Sequence, residues 1–425
     1  MNKLSGKTNG LTGEIIIPSD KSISHRAAIF SLLCDKPLRI KNFSKGEDCH
    51  SSLRIVSQLG AKVEFLSEQE LIITPPKEIQ APNDDLYCGN SGTTMRLMSG
   101  LLAGQKFNSV LTGDESLSKR PMKRVITPLS QMGGKIESNE YKAPLKIFGQ
   151  RLTGIDYNSP LASAQVKSCI LLAGLFADGV TSFSEPYLSR NHSELMLKYL
   201  GADILCADSS VKIKPSKLTS KDIEIAGDIS SAAFFIAAGA IVPNSRIKIK
   251  NTGLNPTRTG IIEVLKKMGA DLKIENEKIV SGEKVGDIVI STSNLKGTTI
   301  YGEIIPKLID EIPIIAVLAT QAEGQTVIKN AEDLRNKESD RIKVVADGLK
   351  SIGANIEETP DGMIINGKTP LKGGVEIESF HDHRIAMSFY VAGMICEKPL
   401  TIKGFEWVNI SFPEFEDLTE KLKNQ

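Results

Sequence analysis

Two kinds of apolar run alternate along the chain. The first is a stripe of helical period among charged residues, ending at a glycine and passing into a short alternating segment. It reads SSLRIVSQLGAKVEF (51–65), RVITPLSQMGGKIES (124–138), SELMLKYLGADILC (193–206), GIIEVLKKMGADLKI (260–274) and KVVADGLKSIGANIEE (343–358). Apolar residues at i, i+3, i+4 and i+7 predict an amphipathic helix, and strict alternation predicts a strand. Gly60, Gly133, Gly201, Gly269 and Gly353 stand where the helix must end on a left-handed residue. FPEFEDLTEKLKN, at the chain's end, supplies a sixth helix.

The second kind of run is poor in charge and rich in Ala, Gly, Ser and Met. Its members are SISHRAAIFSLLC (22–34), SGTTMRLMSGLLAG (91–104), ASAQVKSCILLAGLFADG (162–179), SSAAFFIAAGAIV (230–242), IDEIPIIAVLATQAEG (309–324) and HDHRIAMSFYVAGMI (381–395). Such helices are apolar all round and predict burial against close neighbours. Strands such as GEIIIPS, ELIITPP, LKIFG, VKIKP, IKIKN, GMIING and LTIKG bracket both kinds of helix. The chain therefore reads as six repeats of about 70 residues, three to a domain, giving two similar α/β domains.

Composition narrows the function. The chain has 425 residues, 52 Lys and Arg against 51 Asp and Glu, and 5% aromatics. Near-zero net charge argues against a nucleic-acid partner, and few aromatics argue against base stacking. No apolar stretch reaches the roughly 18 residues of a membrane span, and MNKLSGKTNG lacks a signal-peptide core. Six scattered cysteines with no CxxC pair predict reduced thiols in a cytoplasmic protein.

Polar residues concentrate at the starts of the six buried helices. They are Lys21, Ser22 and Arg26; Asn90, Ser91, Gly92, Thr93 and Arg96; Ser163, Gln165 and Lys167; Asp228, Ser230 and Ser231; Asp310 and Glu311; and Asp382, His383 and Arg384. The segments around the amphipathic helices add Arg120, Arg124, Arg190, Arg258, Lys337, Glu338 and Arg341. Taken singly, Ser and Asn here are caps, NKESDR is a solvated helix start, and HDHR is hydrogen-bonded structure rather than a metal site. Taken together at equivalent places in a repeat, they predict anion sites. Helix N-termini present unpaired N–H groups and a positive dipole end, and Lys or Arg beside them strengthens the hold. A ligand or ligands bearing several phosphates or carboxylates is the expectation. A ring clamp around DNA would instead spread basic residues over one face, and no P-loop or dinucleotide fingerprint is present.

These stretches carry a resemblance. PSDKSISHRA, GNSGTTMRL, GDESLSKRPM, ASAQVKSCILLAGL, GDISSAAFF, NPTRTGII, LIDEIPIIAV, LRNKESDRI, HDHRIAMSF and SFPEF follow one another over more than 400 residues. In this the chain resembles the 5-enolpyruvylshikimate-3-phosphate synthase family, and ASAQVKS with NPTRTG is closer to its class II branch. The resemblance implies an enolpyruvyl transferase fold, an inside-out α/β barrel of two domains with three βαββαβ units each. The expected division is 1–19 with 228–425 as one domain and 20–227 as the other, with the active site in the cleft between them.

The resemblance also implies the chemistry. The family moves the enolpyruvyl group of phosphoenolpyruvate to the 5-hydroxyl of shikimate 3-phosphate and releases phosphate through a tetrahedral intermediate, with no cofactor and no metal. By similarity Lys21, Ser22, Arg26, Ser163, Gln165, Arg190, Asp310 and Lys337 would hold shikimate 3-phosphate. Lys21, Gly92, Arg120, Gln165, Arg341 and Arg384 would hold phosphoenolpyruvate. Asp310 is the expected base, Glu338 the expected acid and Lys21 its alternative. A monomer without nucleic-acid or membrane partners is expected. Ile410 stands where many relatives carry Lys, and Ala164 where some carry a second serine. Gly92 stands where some relatives carry a glyphosate-resistant Ala, so glyphosate is expected to inhibit. The sister transferase acting on UDP-N-acetylglucosamine relies on a loop cysteine, and here that loop is GDESLSKRPM, without one.

Overall fold

A computed structural model describes residues 1–423. Its contacts divide the chain into two compact units. One comprises residues 1–18, 226–278 and 284 onward, and the other residues 19–225 and 279–283. Each unit has its own continuous apolar core.

The six buried helices are Lys21–Ser31, Gly92–Ala103, Ala164–Gly174, Ile229–Ile241, Ile312–Thr320 and His383–Gly393. Every residue of Ile312–Thr320 is buried. In the second unit Gly92–Ala103 packs on Ala164–Gly174. In the first, Ile229–Ile241, Ile312–Thr320 and His383–Gly393 pack mutually. The amphipathic helices are Glu47–Gln58, Lys123–Gln131, His192–Tyr199, Gly260–Lys267, Arg341–Ser351 and Phe415–Lys423. Asn424 of the sixth expected helix lies outside the described residues. Gly60, Gly133, Gly201, Gly269 and Gly353 follow the first five with φ between +83° and +100°, a backbone state a Cβ penalises.

The sheets repeat as well. In one, Leu86–Tyr87 pairs parallel with Ser109–Thr112, which pairs antiparallel with Lys142–Phe148, which pairs antiparallel with Lys135–Asn139. The same strand order recurs in four further four-stranded sheets. In the sixth, Glu376–Glu378 lies parallel to Leu400–Lys403, and Asn2–Ser5 adds an antiparallel third strand. Chain-distant strands complete two sheets: Ile223–Glu224 pairs with Leu38–Lys41, and Thr12–Ile16 with Arg246–Gly253.

The order inside the repeat corrects the expectation. It is βαβαββ, not βαββαβ: one strand of the repeat's own sheet, not two, separates the buried helix from the amphipathic one, and the extra strand Ala177–Asp178 in the third repeat pairs outside that sheet with Leu152–Thr153. The reason is strand direction. The first two strands are parallel and need a helical crossover, whereas the last two form a hairpin joined by a short turn. The hairpin therefore comes after both helices.

Candidate active site

In the second unit the helix starts gather the predicted cations. Asp20 caps Lys21–Ser31 by accepting from Ile23 N–H at 2.9 Å. Lys21 opens that helix, half-buried, and forms an ion pair with Asp48. One turn on, Arg26 is 2% exposed. Its guanidinium donates to Ser193 Oγ (2.7 Å), Ser168 Oγ (2.8 Å) and the carbonyl of Ser22 (2.8 Å). Burial pushes its proton affinity down to about 10, against the pull of Glu194 and Asp20. The guanidinium stays charged, and it braces the start of the helix.

Ser91 caps the second buried helix, accepting from Thr94 N–H at 3.1 Å. Gly92 follows, and a Cβ there would lie 2.9 Å from Arg96 Nη1 and 3.7 Å from Arg120 Nη1. Two guanidinium groups thus crowd this helix start. Arg120 donates to Asn90 Oδ1 at 2.8 Å, and Asn90 donates to Asp114 at 2.8 Å. Arg96 donates to Gln165 Oε1 at 2.5 Å while Gln165 Nε2 donates to Thr93 Oγ1 at 2.9 Å. Ser163 is the N-cap of the third buried helix. Arg190 stands half-buried just before His192–Tyr199. Lys21, Ser22, Arg26, Gly92, Arg120, Ser163, Gln165 and Arg190 all lie in this unit.

The first unit holds Asp310, Lys337, Glu338, Arg341 and Arg384. Its centre is Arg341, 2% exposed. Nε and Nη2 engage the two oxygens of Asp382 at 2.7 and 3.2 Å. Nη2 also reaches Glu338 at 2.7 Å, and Nη1 reaches Asp310 at 3.4 Å. Burial works against the charge on Arg341, but Asp382, Glu338 and Asp310 outweigh it and raise its proton affinity. NKESDR is therefore no solvated helix start at its arginine. Burial alone would raise the Asp382 carboxyl, yet Arg341 holds it below the usual range. Asp382 also caps the sixth buried helix through Arg384 N–H at 2.9 Å. Arg384 donates in turn to the carbonyl of Asp310 at 3.2 Å. Lys337 Nζ lies 3.7 Å from Asp310 Oδ1.

Asp310 sits in a tight turn, Ile309–Glu311, ahead of Ile312–Thr320 rather than inside it. Pro313 suits the first turn of that helix, where an N–H has no partner to lose. The turn leaves Asp310 partly exposed and buries Glu311. Ile410 ends the turn Phe405–Ile410.

Comparison with known proteins decides the family. The family model for EPSP synthase (3-phosphoshikimate 1-carboxyvinyltransferase) matches residues 6–418. The chain belongs to the EPSP synthase family. Relatives named 3-phosphoshikimate 1-carboxyvinyltransferase include one from Petrotoga mobilis, 50% identical over 98% of this chain and 98% of that protein. One from Bacillus subtilis is 50% identical over 99% of each. The EPSP synthase structure from Acinetobacter baumannii superposes with a TM-score of 0.90 at 45% identity, covering 99% of this chain and 98% of that one. The enolpyruvyl transferase NikO from Streptomyces tendae gives a TM-score of 0.80 at 17% identity, covering 99% of this chain and 97% of that one. That likeness is one of fold alone, and the fold is the α/β enolpyruvyl transferase fold.

The family's site residues, Arg190 apart, stand in the sequence motifs; the contacts that support them are not written there. Arg96 and Asp382 are at helix starts and were legible as polar singularities, but nothing in the sequence pairs Arg96 with Gln165 or Asp382 with Arg341. Asp48, the partner of Lys21, carried no signal beyond its place in an amphipathic helix. Among the described residues no cluster of three His, Cys, Asp or Glu side chains suits a metal ion.

Proposed function

We infer that the protein is an enolpyruvyl transferase of the shikimate pathway. It moves the carboxyvinyl group of phosphoenolpyruvate to the 5-hydroxyl of shikimate 3-phosphate and releases phosphate. The observation that carries this is end-to-end identity of about half with relatives bearing that activity's name. The cationic helix starts fit two substrates that are both multiply anionic.

We assign the side chains as follows. Asp310 takes the proton of the acceptor's 5-hydroxyl as that oxygen attacks C2 of phosphoenolpyruvate. C3 gains a proton in the same stage, from Glu338 or Lys21, which makes C2 electrophilic. The tetrahedral adduct then loses phosphate as its C2–O bond breaks. A proton leaves C3 to restore the double bond. General acid and base must differ in proton affinity at one pH. In the described state Glu338 is held by Arg341 in an ion pair. An incoming substrate carboxylate that takes over the Arg341 fork would release Glu338 to hold a proton. Lys21, Gly92, Arg120, Gln165, Arg341 and Arg384 are the proposed contacts for phosphoenolpyruvate. Lys21, Ser22, Arg26, Ser163, Gln165, Arg190, Asp310 and Lys337 are those for shikimate 3-phosphate. For Arg26 the contact is constrained, because three of its donors are already held inside the unit.

Six cysteines without a disulfide support a reducing compartment, the cytoplasm. A monomer acting on small molecules is the simplest assembly, and no described helix is long and apolar enough to cross a membrane.

Phosphate release from purified protein with phosphoenolpyruvate tests the reading. Release that requires shikimate 3-phosphate, and falls about a hundredfold or more in Asp310→Asn, is the expected result. Release with UDP-N-acetylglucosamine in its place would move the chain to the sister activity.

A further inference from the structure

Lys167 is 2% exposed, and its ammonium lies 2.7 Å from Glu185 and 2.7 Å from Glu194. Both carboxylates are buried too. A buried ion pair is weak evidence for stability, since apolar side chains of similar volume serve as well. What distinguishes this group is where its remaining hydrogen bonds go.

Glu185 Oε2 accepts from the backbone N–H of Ser163 at 3.1 Å. Glu185 Oε1 accepts from Ser189 N–H at 2.8 Å and from Ser189 Oγ at 2.9 Å. Lys167 Nζ donates to the carbonyl of Ser189 at 3.2 Å. All three polar atoms of Ser189 are therefore fixed by Glu185 and Lys167. Ser189 immediately precedes Arg190, and Ser163 is the N-cap of the helix that carries Gln165. Glu194, on the first turn of His192–Tyr199, anchors the far side of the same short segment. It is also the strongest charge counteracting the burial of Arg26.

We propose that Glu185 is a positioning residue for shikimate 3-phosphate, holding Ser163 and the base of Arg190 in one rigid arrangement through its hydrogen bonds and through Lys167. This rests on the reading above, in which Ser163 and Arg190 bind that substrate. One carboxylate spans two segments that share no secondary-structure element, so a loss of its charge loosens both at once. Phosphoenolpyruvate depends mainly on other helix starts in this unit, around Gly92 and Arg120; of its proposed contacts only Gln165 stands on the helix that Ser163 caps, and that side chain is held separately by Arg96 and Thr93. The signature is thus a split between the two substrates.

The test is steady-state kinetics on Glu185→Gln, Ser189→Ala and Arg190→Gln, with melting curves for each. Glu185→Gln keeps the shape and removes the charge. Its KM for shikimate 3-phosphate rises about tenfold, the usual worth of a hydrogen bond to a charged group. Its KM for phosphoenolpyruvate stays within about twofold. Ser189→Ala loses one hydroxyl bond only and gives a rise of about threefold, and it keeps the idea testable if Glu185→Gln does not fold. A KM for shikimate 3-phosphate unchanged in every folded variant of this pair, or both KM values rising together as the melting point falls, overturns the positioning role. Arg190→Gln separates the two failures. If it leaves that KM unchanged, the binding assignment of Arg190 falls. If it raises that KM and Glu185→Gln does not, only the positioning role falls.

Discussion

At the scale of the residue, Gly92 and Arg341 show how small geometric facts set the chemistry. A methyl group at Gly92 would press on the tip of Arg96, 2.9 Å away, a flexible side chain that yields at little cost to folding. Gly92→Ala is therefore expected to fold normally. The displaced guanidinium disturbs the Arg96–Gln165 contact and narrows the space beside Arg120. Glyphosate is expected to inhibit the parent protein, with an inhibition constant that rises at least about tenfold in Gly92→Ala. A KM for phosphoenolpyruvate that rises by a smaller factor accompanies it. Equal inhibition of parent and variant would contradict this. Glycine at position 92 was legible because it stands in GNSGTTMR at a helix start. The environment of Arg341 was not. A charged run such as NKESDR reads as solvated, because nothing local shows that Asp382, 41 residues on, waits to form a buried fork.

At the scale of the element, periodicity told most of the story. The amphipathic stripes and their terminal glycines marked five helix ends, since a positive φ at a helix C-terminus is a local demand that sequence must meet locally. The buried helices were legible from their lack of charge, but not which of them touch. Gly100 is decisive there: a Cβ would lie 2.0 Å from the carbonyl oxygen of Cys169 on the neighbouring buried helix. Backbone cannot yield as a side-chain tip does. Gly100→Ala should destabilise the second unit by about 3 kcal/mol or more, the upper range for overpacking, read as a lower denaturation midpoint. The same change at Gly324, where nothing lies within 4 Å, costs only the strain of its positive φ and serves as the comparison. Strand order inside the repeat was beyond the sequence. A two-residue parallel strand such as Leu86–Tyr87 has no alternation to read, and its direction is set by its partner.

At the scale of the whole molecule, each unit carries a histidine that resists protonation, the buried His25 in one and the partly buried His383 in the other. Burial pushes His25 down to about 3 and His383 down to about 4. In the unfolded chain both return to the ordinary value of about 6.5. Between these limits the unfolded state binds more protons, so stability is full above pH 6.5 and is lost as pH falls. Each unit should lose about 1 kcal/mol between pH 7.5 and 5.5 from its histidine alone. Urea midpoints at the two pH values measure it. In His25→Asn the loss shrinks for the unit containing residue 25 and persists for the other. An unchanged pH dependence in that variant would mean His25 titrates normally.

The sequence by itself determined the sixfold count, the helices of both kinds, their glycine stops and the charged helix starts. Each of these is a short-range requirement: a period, a cap, a backbone angle. Through its motifs it also identified the family, and with it the reaction. Only the tertiary structure decided the strand order of the repeat, the contact of Gly100 with Cys169, the burial of Arg341 and the clamp of Glu185 and Lys167 on Ser189. Those depend on which distant segments meet, and a buried charge is tolerated only where a partner supplied from elsewhere in the chain replaces the water it has lost.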